Sequence, residues 1–234
     1  MKMVSRTHAG LQRMRNEDAL RIDADAGIAV LADGMGGLMA GSEASQLAVE
    51  HVFMALAAST VRNTKQLHDA ISRAHQAISE ASAVKEMRSQ MGSTVVVWVA
   101  AQDHWRAAYV GDSRLYHWHQ GELRQLSRDH SLAQRMLDSG EVESGVDVEA
   151  HYGHVLTQGL GLRQPLDPGN CNGALNAPGQ RFMLCSDGLS DLVTPNKMAS
   201  ALGLSDLQEA ADVLLGYAMD MGGTDNISVV LIEP

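Results

Sequence analysis

Ile28-Ala29-Val30-Leu31-Ala32-Asp33-Gly34-Met35-Gly36-Gly37 carries a short aliphatic run straight into a carboxylate and then a glycine-rich turn. The length of the run, and its bounds at Gly27 and Asp33, favour a strand over a helix. The pattern recurs along the chain. Ser93 to Ala101, Trp105 to Val110, Arg181 to Cys185 and Asn226 to Ile232 are further apolar runs of strand length. Gln102-Asp103-His104, Gln120-Gly121 and Pro178-Gly179 stand between such runs as short turns. Much of the sheet is therefore expected to be joined by antiparallel hairpins rather than by βαβ crossovers.

Helical periodicity fills three of the intervals. Ser42 is placed to cap a helix on which Ala44, Leu47, Ala48, Val52 and Leu56 share a face, and Thr64 to cap one bearing Leu67, Ala70, Ile71, Ala74 and Ile78. Ser205-Asp206-Leu207-Gln208 reads as a capping box before Ala210, Ala211, Leu214 and Ala218. Strands, paired helices, more strands, a late helix and a final strand make an α+β layered domain. The interval Asp138 to His151, with Gly140, Gly145 and five acids, reads as a solvated surface loop, the alternative being a mobile flap beside a site.

Composition sets the outer limits. A chain of 234 residues with 45% hydrophobic and 20% charged residues is an ordinary globular protein, and one domain spanning 1–234 is expected. A formal charge of −10 opposes nucleic acid and anionic membrane surfaces and suits a binder of cations. Cys171 and Cys185 lack the spacing of a disulfide framework or a zinc site, so reduced thiols in a cytoplasmic protein are expected. No signal-like start and no apolar stretch of ~18 to 20 residues is present, so no membrane association is expected.

Four acids stand where an apolar run meets a turn: Asp33, Asp112, Asp187 and Asp225. Taken singly, each suits a turn, since Asp-Gly and Asp-Asn are common there. Four in one domain, with Glu17 and Asp18 besides, would repel one another and raise one another's pKa unless hard cations lay between them. Oxygen ligands select Mg²⁺ or Mn²⁺ rather than zinc. Gly34, Gly36, Gly37 and Gly41 form neither a Walker pattern nor GxGxxG, so they read as bringing backbone carbonyls within ligand reach.

These residues belong to an ordered series. Gly10-Leu11-Gln12-Arg13-Met14-Arg15-Asn16-Glu17-Asp18-Ala19, Asp33-Gly34-Met35-Gly36-Gly37, Gly92-Ser93-Thr94, Gly111-Asp112-Ser113-Arg114, Asp129-His130-Ser131, Ser186-Asp187-Gly188 and Gly223-Thr224-Asp225-Asn226-Ile227-Ser228 resemble the motifs of the metal-dependent protein Ser/Thr phosphatases of type 2C, in order, over residues 10 to 228. The resemblance implies a four-layer αββα sandwich of two antiparallel sheets flanked by helices, with metals in the cleft between the sheets. It implies that Asp33 bridges two Mn²⁺ or Mg²⁺ ions, that the Gly34 carbonyl and, through water, Glu17 complete the second, and that Asp187 and Asp225 hold the first. Asp112, with Asp187, matches the site of a third, weaker metal in bacterial relatives. Asp18 would orient the nucleophilic water, Asn226 would support Asp225, and Arg13 matches the phosphate-binding arginine, while Arg15 reads as solvent-facing.

Two such ions ~3.5 to 4 Å apart lower the pKa of a bridging water, so that hydroxide attacks phosphorus in line while an Arg holds the equatorial oxygens. Two departures concern the leaving group. Met35 and Leu38 fill positions where family members carry a histidine that would serve as general acid. His130 reads as structural and His117 and His119 as exposed strand residues, leaving a water acidified by a third metal on Asp112 as the expected proton donor.

The expected function is metal-dependent hydrolysis of phosphoserine or phosphothreonine in proteins, by a monomer that opposes a bacterial Ser/Thr kinase. A regulatory phosphatase-like binding module and a two-metal hydrolase of a small phosphate ester are the alternatives. Retention of Asp33, Asp187 and Asp225 argues against the binding module.

Overall fold

The computed structural model describes every residue except 37–39, 60, 85–90, 141 and 143–147. In chain order the strands are β1 (Lys2–His8), β2 (Ala19–Asp23), β3 (Ile28–Ala32), β4 (Gly34–Met35), β5 (Gly92–Ser93), β6 (Val95–Ala101), β7 (His104–Val110), β8 (Arg114–His119), β9 (Glu122–Gln125), β10 (Gly169–Ala174), β11 (Arg181–Cys185) and β12 (Ile227–Glu233). The helices are α1 (Ala40–Ala57), α2 (Thr64–Val84), α3 (Leu132–Ser139), α4 (Val148–Tyr152), α5 (Asp187–Ser190), α6 (Pro195–Leu202) and α7 (Leu207–Asp220).

Two antiparallel sheets carry the architecture, in the orders β1-β12-β11-β8-β9 and β10-β7-β6-β3-β2. Alternation along the strands sorts side chains into three apolar layers. On β3 and β6, Ile28, Val30, Val95, Val97 and Val99 face outward onto α1 and α2. From the same strands Ala29, Leu31, Val96 and Trp98 face inward, where they meet Leu115, Phe182, Leu184, Val230 and Ile232 of the other sheet. The opposite face of that second sheet presents Met183, Ile227, Val229 and Leu231 to α5, α6 and α7. The result is the helix, sheet, sheet, helix order expected. Burial on both faces explains why these strands read as unbroken apolar runs, and each large inward side chain contributes ~1.5 to 3 kcal/mol.

Three local readings need correction. Ser42 lies inside α1 rather than capping it. The cap of α2 is Asn63, whose Oδ1 accepts the Gln66 N–H at 3.1 Å, not Thr64. Asp206 caps α7 by accepting the Gln208 N–H at 2.8 Å, while the Gln208 side chain is drawn to Arg6 instead of closing a capping box. Pro178-Gly179 is not a hairpin turn either, because β10 and β11 belong to different sheets. The apolar faces assigned to α2 and α7 are buried throughout, and on α1 only Leu47 is partly exposed.

Much of the interval Asp138 to His151 lies outside the described residues, as does Leu38. Its start ends α3, with Gly140 as a left-handed cap, and its end enters α4. Both cysteines are free thiols, pushed up to about 12 by burial.

Candidate active site

Strand direction alone gathers the four aspartates. β3 and β7 each pair antiparallel with β6, so they run the same way and deliver Asp33 and Asp112 to one end of their sheet. β11 and β12 pair antiparallel, so the exit of one, Asp187, lies beside the entrance of the other, Asp225. The loop from β1 to β2 leaves the first sheet opposite Ile227 and enters the second opposite Ala32, carrying Arg13, Glu17 and Asp18 across the same end. A cleft of about 1110 Å³ opens there, lined by Arg13, Glu17, Asp33, Gly34, Asp112, Asp187 and Asp225 among others.

Backbone contacts fix each of these residues. The Asp33 N–H donates to Thr94 Oγ1 at 2.9 Å, and its carbonyl accepts from Ser93 Oγ at 2.9 Å and the Thr94 N–H at 2.8 Å. Thr94 Oγ1 lies 2.7 Å from Ser113 Oγ, which ties the turn after β7 to the turn after β3. Gly34 and Gly41 are glycines for want of room: a Cβ on Gly34 would come within 2.0 Å of the Gly41 carbonyl, and one on Gly41 within 2.3 Å of Glu17 Oε2. Their bare backbones let the Gly34 carbonyl and the Glu17 carboxylate approach each other.

Asn226 does more than support Asp225. Its Oδ1 accepts the Glu17 N–H at 2.7 Å, and its Nδ2 donates to the Ala9 and Arg15 carbonyls at 3.0 and 2.8 Å. One amide thereby clamps the whole Arg13-bearing loop, while the Asn226 N–H donates to Asp225 Oδ1 at 2.8 Å. Arg13 Nη2 donates to Asp225 Oδ2 at 2.7 Å, so the guanidinium stands at the carboxylate cluster.

The cluster is electrostatically costly. Desolvation, then the charges of Asp18, Asp187 and Asp112, hold Asp33 well above the usual carboxylate range. Burial raises Asp187 too, and Asp225 adds to it. Asp18 is pushed up to about 7 by burial, against the pull of Ser228 and Ser186 hydroxyls, and Asp112 to about 8 by burial and Asp187. Asp18 Oδ1 and Asp187 Oδ1 are buried without a hydrogen-bond partner. Buried acceptors of this kind favour a nearby cation or donor. Among the described residues no three such side chains are drawn together into a closed ligand cage. The carboxylate oxygens with the Gly34 carbonyl are hard donors of the kind Mg²⁺ and Mn²⁺ take.

The remaining motif residues divide. Asp129 is structural: it holds Arg114 Nε at 2.7 Å and Gln125 Nε2 at 3.0 Å in a buried pair. His130 packs on Tyr109 at 5.5 Å and its Nδ1 accepts the Gly111 N–H at 3.3 Å, as a structural histidine should. His117 is not an exposed strand residue. It is half-buried 5.0 Å from Phe182 and 3.2 Å from Gln180 Oε1. Arg15 is exposed, as read, and also borders the cleft, as does His154, which no motif marked.

Comparison with known proteins agrees with this geometry. The family described as Protein phosphatase 2C matches residues 7–212. The serine/threonine protein phosphatase PstP of Mycobacterium tuberculosis is 30% identical over 247 residues, covering all of this chain, which spans 45% of that relative's length. The serine/threonine phosphatase stp of Listeria monocytogenes is 32% identical, with 97% of this chain and 94% of the relative covered. The crystal structure of the PstP catalytic domain in complex with two manganese ions superposes with a TM-score of 0.87 at 30% identity, over 98% of this chain and 96% of that one. By its fold, its cleft and the family match over most of its length, the chain belongs to the protein phosphatase 2C family.

Proposed function

We propose that the chain is a metal-dependent protein-serine/threonine phosphatase whose catalytic unit is residues 1–234. The observation that carries this reading is the set of desolvated aspartates at one cleft, with Asp18 Oδ1 and Asp187 Oδ1 unpartnered, beside a guanidinium able to hold a phosphate. Asp33, Asp187 and Asp225 would hold two divalent ions, with the Gly34 carbonyl and Glu17 completing one set and Asp112 serving a third. Mn²⁺ bound there, or Mg²⁺, offsets the carboxylate charge, acidifies bound water and neutralises charge developing on the phosphoryl oxygens.

The chain's own groups do the rest. Arg13 leaves Asp225 to form charge-assisted hydrogen bonds to phosphate oxygens. Asp18 is fixed by Ser186 Oγ, which donates to its Oδ2 at 2.9 Å, leaving Oδ1 to accept a hydrogen bond from the attacking water and orient it. Thr94, Ser113 and Asn226 keep the acids in place.

Phosphoproteins are the substrates, and a bacterial Ser/Thr kinase is the opposing activity. A cytoplasmic setting suits the two free thiols, and among the described residues no helix is long and apolar enough to cross a membrane. The test is phosphate release with Mn²⁺ from a phosphothreonine peptide, a dinucleotide and a sugar phosphate. Preference for the peptide supports the reading, and preference for either small ester overturns it.

A further inference from the structure

A seryl or threonyl oxygen leaves poorly as an anion, so its release benefits from a proton delivered as the P–O bond breaks. Met35, at one of the two positions where a histidine would serve, is otherwise engaged. Its side chain meets Leu162 above Gly92 and Gly159, where a Cβ on Gly159 would stand 3.0 Å from Leu162 and 3.2 Å from Met35. A thioether in an apolar notch has no proton to give. His130 is committed to Gly111 and Tyr109 behind the cleft.

His154 differs from both. It is exposed, and it lines the cleft together with Asp33, Asp112 and Asp187. The backbone around it is fastened on either side: the Val155 N–H donates to the Tyr152 carbonyl at 3.2 Å, the Leu132 N–H to the Val155 carbonyl at 2.7 Å, and the Thr157 N–H to the His130 carbonyl at 2.7 Å. The segment is thereby held to the start of α3 rather than left to swing. Other described groups at the cleft are unsuited to delivering a proton. The carboxylates are committed as cation ligands, the Thr94 hydroxyl is shared between Asp33 and Ser113, the Asn226 amide is fully bonded, and guanidinium keeps its protons at neutral pH. Imidazole is the side chain that exchanges protons readily near neutrality.

We propose that His154 is the proton donor to the leaving seryl or threonyl oxygen, an inference that rests on the phosphatase reading above. A water oxygen forms the new bond to phosphorus and its proton passes to solvent. The ester P–O bond breaks, and the electron pair left on the departing oxygen takes the imidazolium proton. Imidazole then regains a proton from solvent, so that phosphoester and water become alcohol and phosphate. This gives to a side chain the task that sequence reasoning assigned to a water on Asp112.

The test measures kcat of the Mn²⁺-loaded chain on a phosphothreonine peptide and on a series of substituted phenyl phosphates, for wild type, His154→Gln, His154→Ala and Asp112→Ala. We expect His154→Gln to lose about a hundredfold on the peptide, with a loss that shrinks steadily as the leaving phenol becomes more acidic. Added imidazole should restore part of the peptide rate in His154→Ala. A residue of merely structural weight lowers every substrate by one common factor, and that result, or no loss at all, overturns the assignment. Leaving-group selectivity confined to Asp112→Ala overturns it in favour of the water. A wild-type chain inert on the peptide overturns the phosphatase reading itself, which separates that failure from this one.

Discussion

Arg13 and Asp225 show how one pair of side chains can belong to two tasks. Their 2.7 Å contact is half in solvent, with side-chain exposures of 58% and 35%, so it adds little to stability. Its value is to keep a guanidinium beside the carboxylates. A guanidinium that grips the phosphate alike in ground and transition states contributes uniform binding, so Arg13→Ala should raise KM for a phosphothreonine peptide about tenfold, ~1.4 kcal/mol, with a much smaller fall in kcat. Steady-state kinetics decides it, and an unchanged KM removes Arg13 from the phosphate site. Asp33, Asp112, Asp187 and Asp225 were legible because a carboxylate interrupting an apolar run is chemically conspicuous. His154 and Arg15 were not, since they lie on connecting backbone whose path is set by contacts distant in sequence, such as Leu132 with Val155 and Arg15 with Asn226.

At the scale of elements, apolar periodicity located helix bodies correctly and helix starts poorly. The faces of α2 and α7 are buried as read, yet their caps are Asn63 and Asp206, one residue from where Thr64 and Ser205 were placed. Periodicity reports on burial, whereas a cap is a single hydrogen bond, and where hydroxyl, amide and carboxylate neighbours compete only the backbone path selects one. We expect Asn63→Ala to cost ~1 kcal/mol and Thr64→Ala less than half that, read as midpoint shifts in urea at constant m. Equal costs would deny Asn63 its capping role. The central strands were legible because both faces are buried, while β1 and β2, whose side chains are partly buried or exposed along most of their length, carry no such run. The Pro178-Gly179 turn misled because a tight turn says nothing about whether the next strand rejoins the same sheet.

For the whole molecule, the stacking of two sheets concentrates like charge at one end, and stability should record it. Asp18 at about 7, Asp112 at about 8 and Asp33, also held well above its usual range, all bind protons more tightly folded than unfolded, where carboxylates titrate near ~4. Their contribution is therefore fully present below about pH 4 and is lost as pH rises through about 7 to 8. The metal-free chain should melt at a lower temperature at pH 8 than at pH 5.5, and Mn²⁺ at pH 8 should reverse the difference by binding the folded state. A melting temperature that rises over this interval in EDTA would contradict the charge distribution.

The central claim is that these aspartates are a divalent-metal site, and a calorimetric titration of EDTA-stripped protein with Mn²⁺ tests it most directly. The account predicts saturable binding of at least two ions per chain, and loss of binding at the first site in Asp187→Asn, which removes charge but little volume. A wild-type chain that takes up no Mn²⁺ saturably, or an Asp187→Asn variant that binds it as the wild type does, would contradict the account.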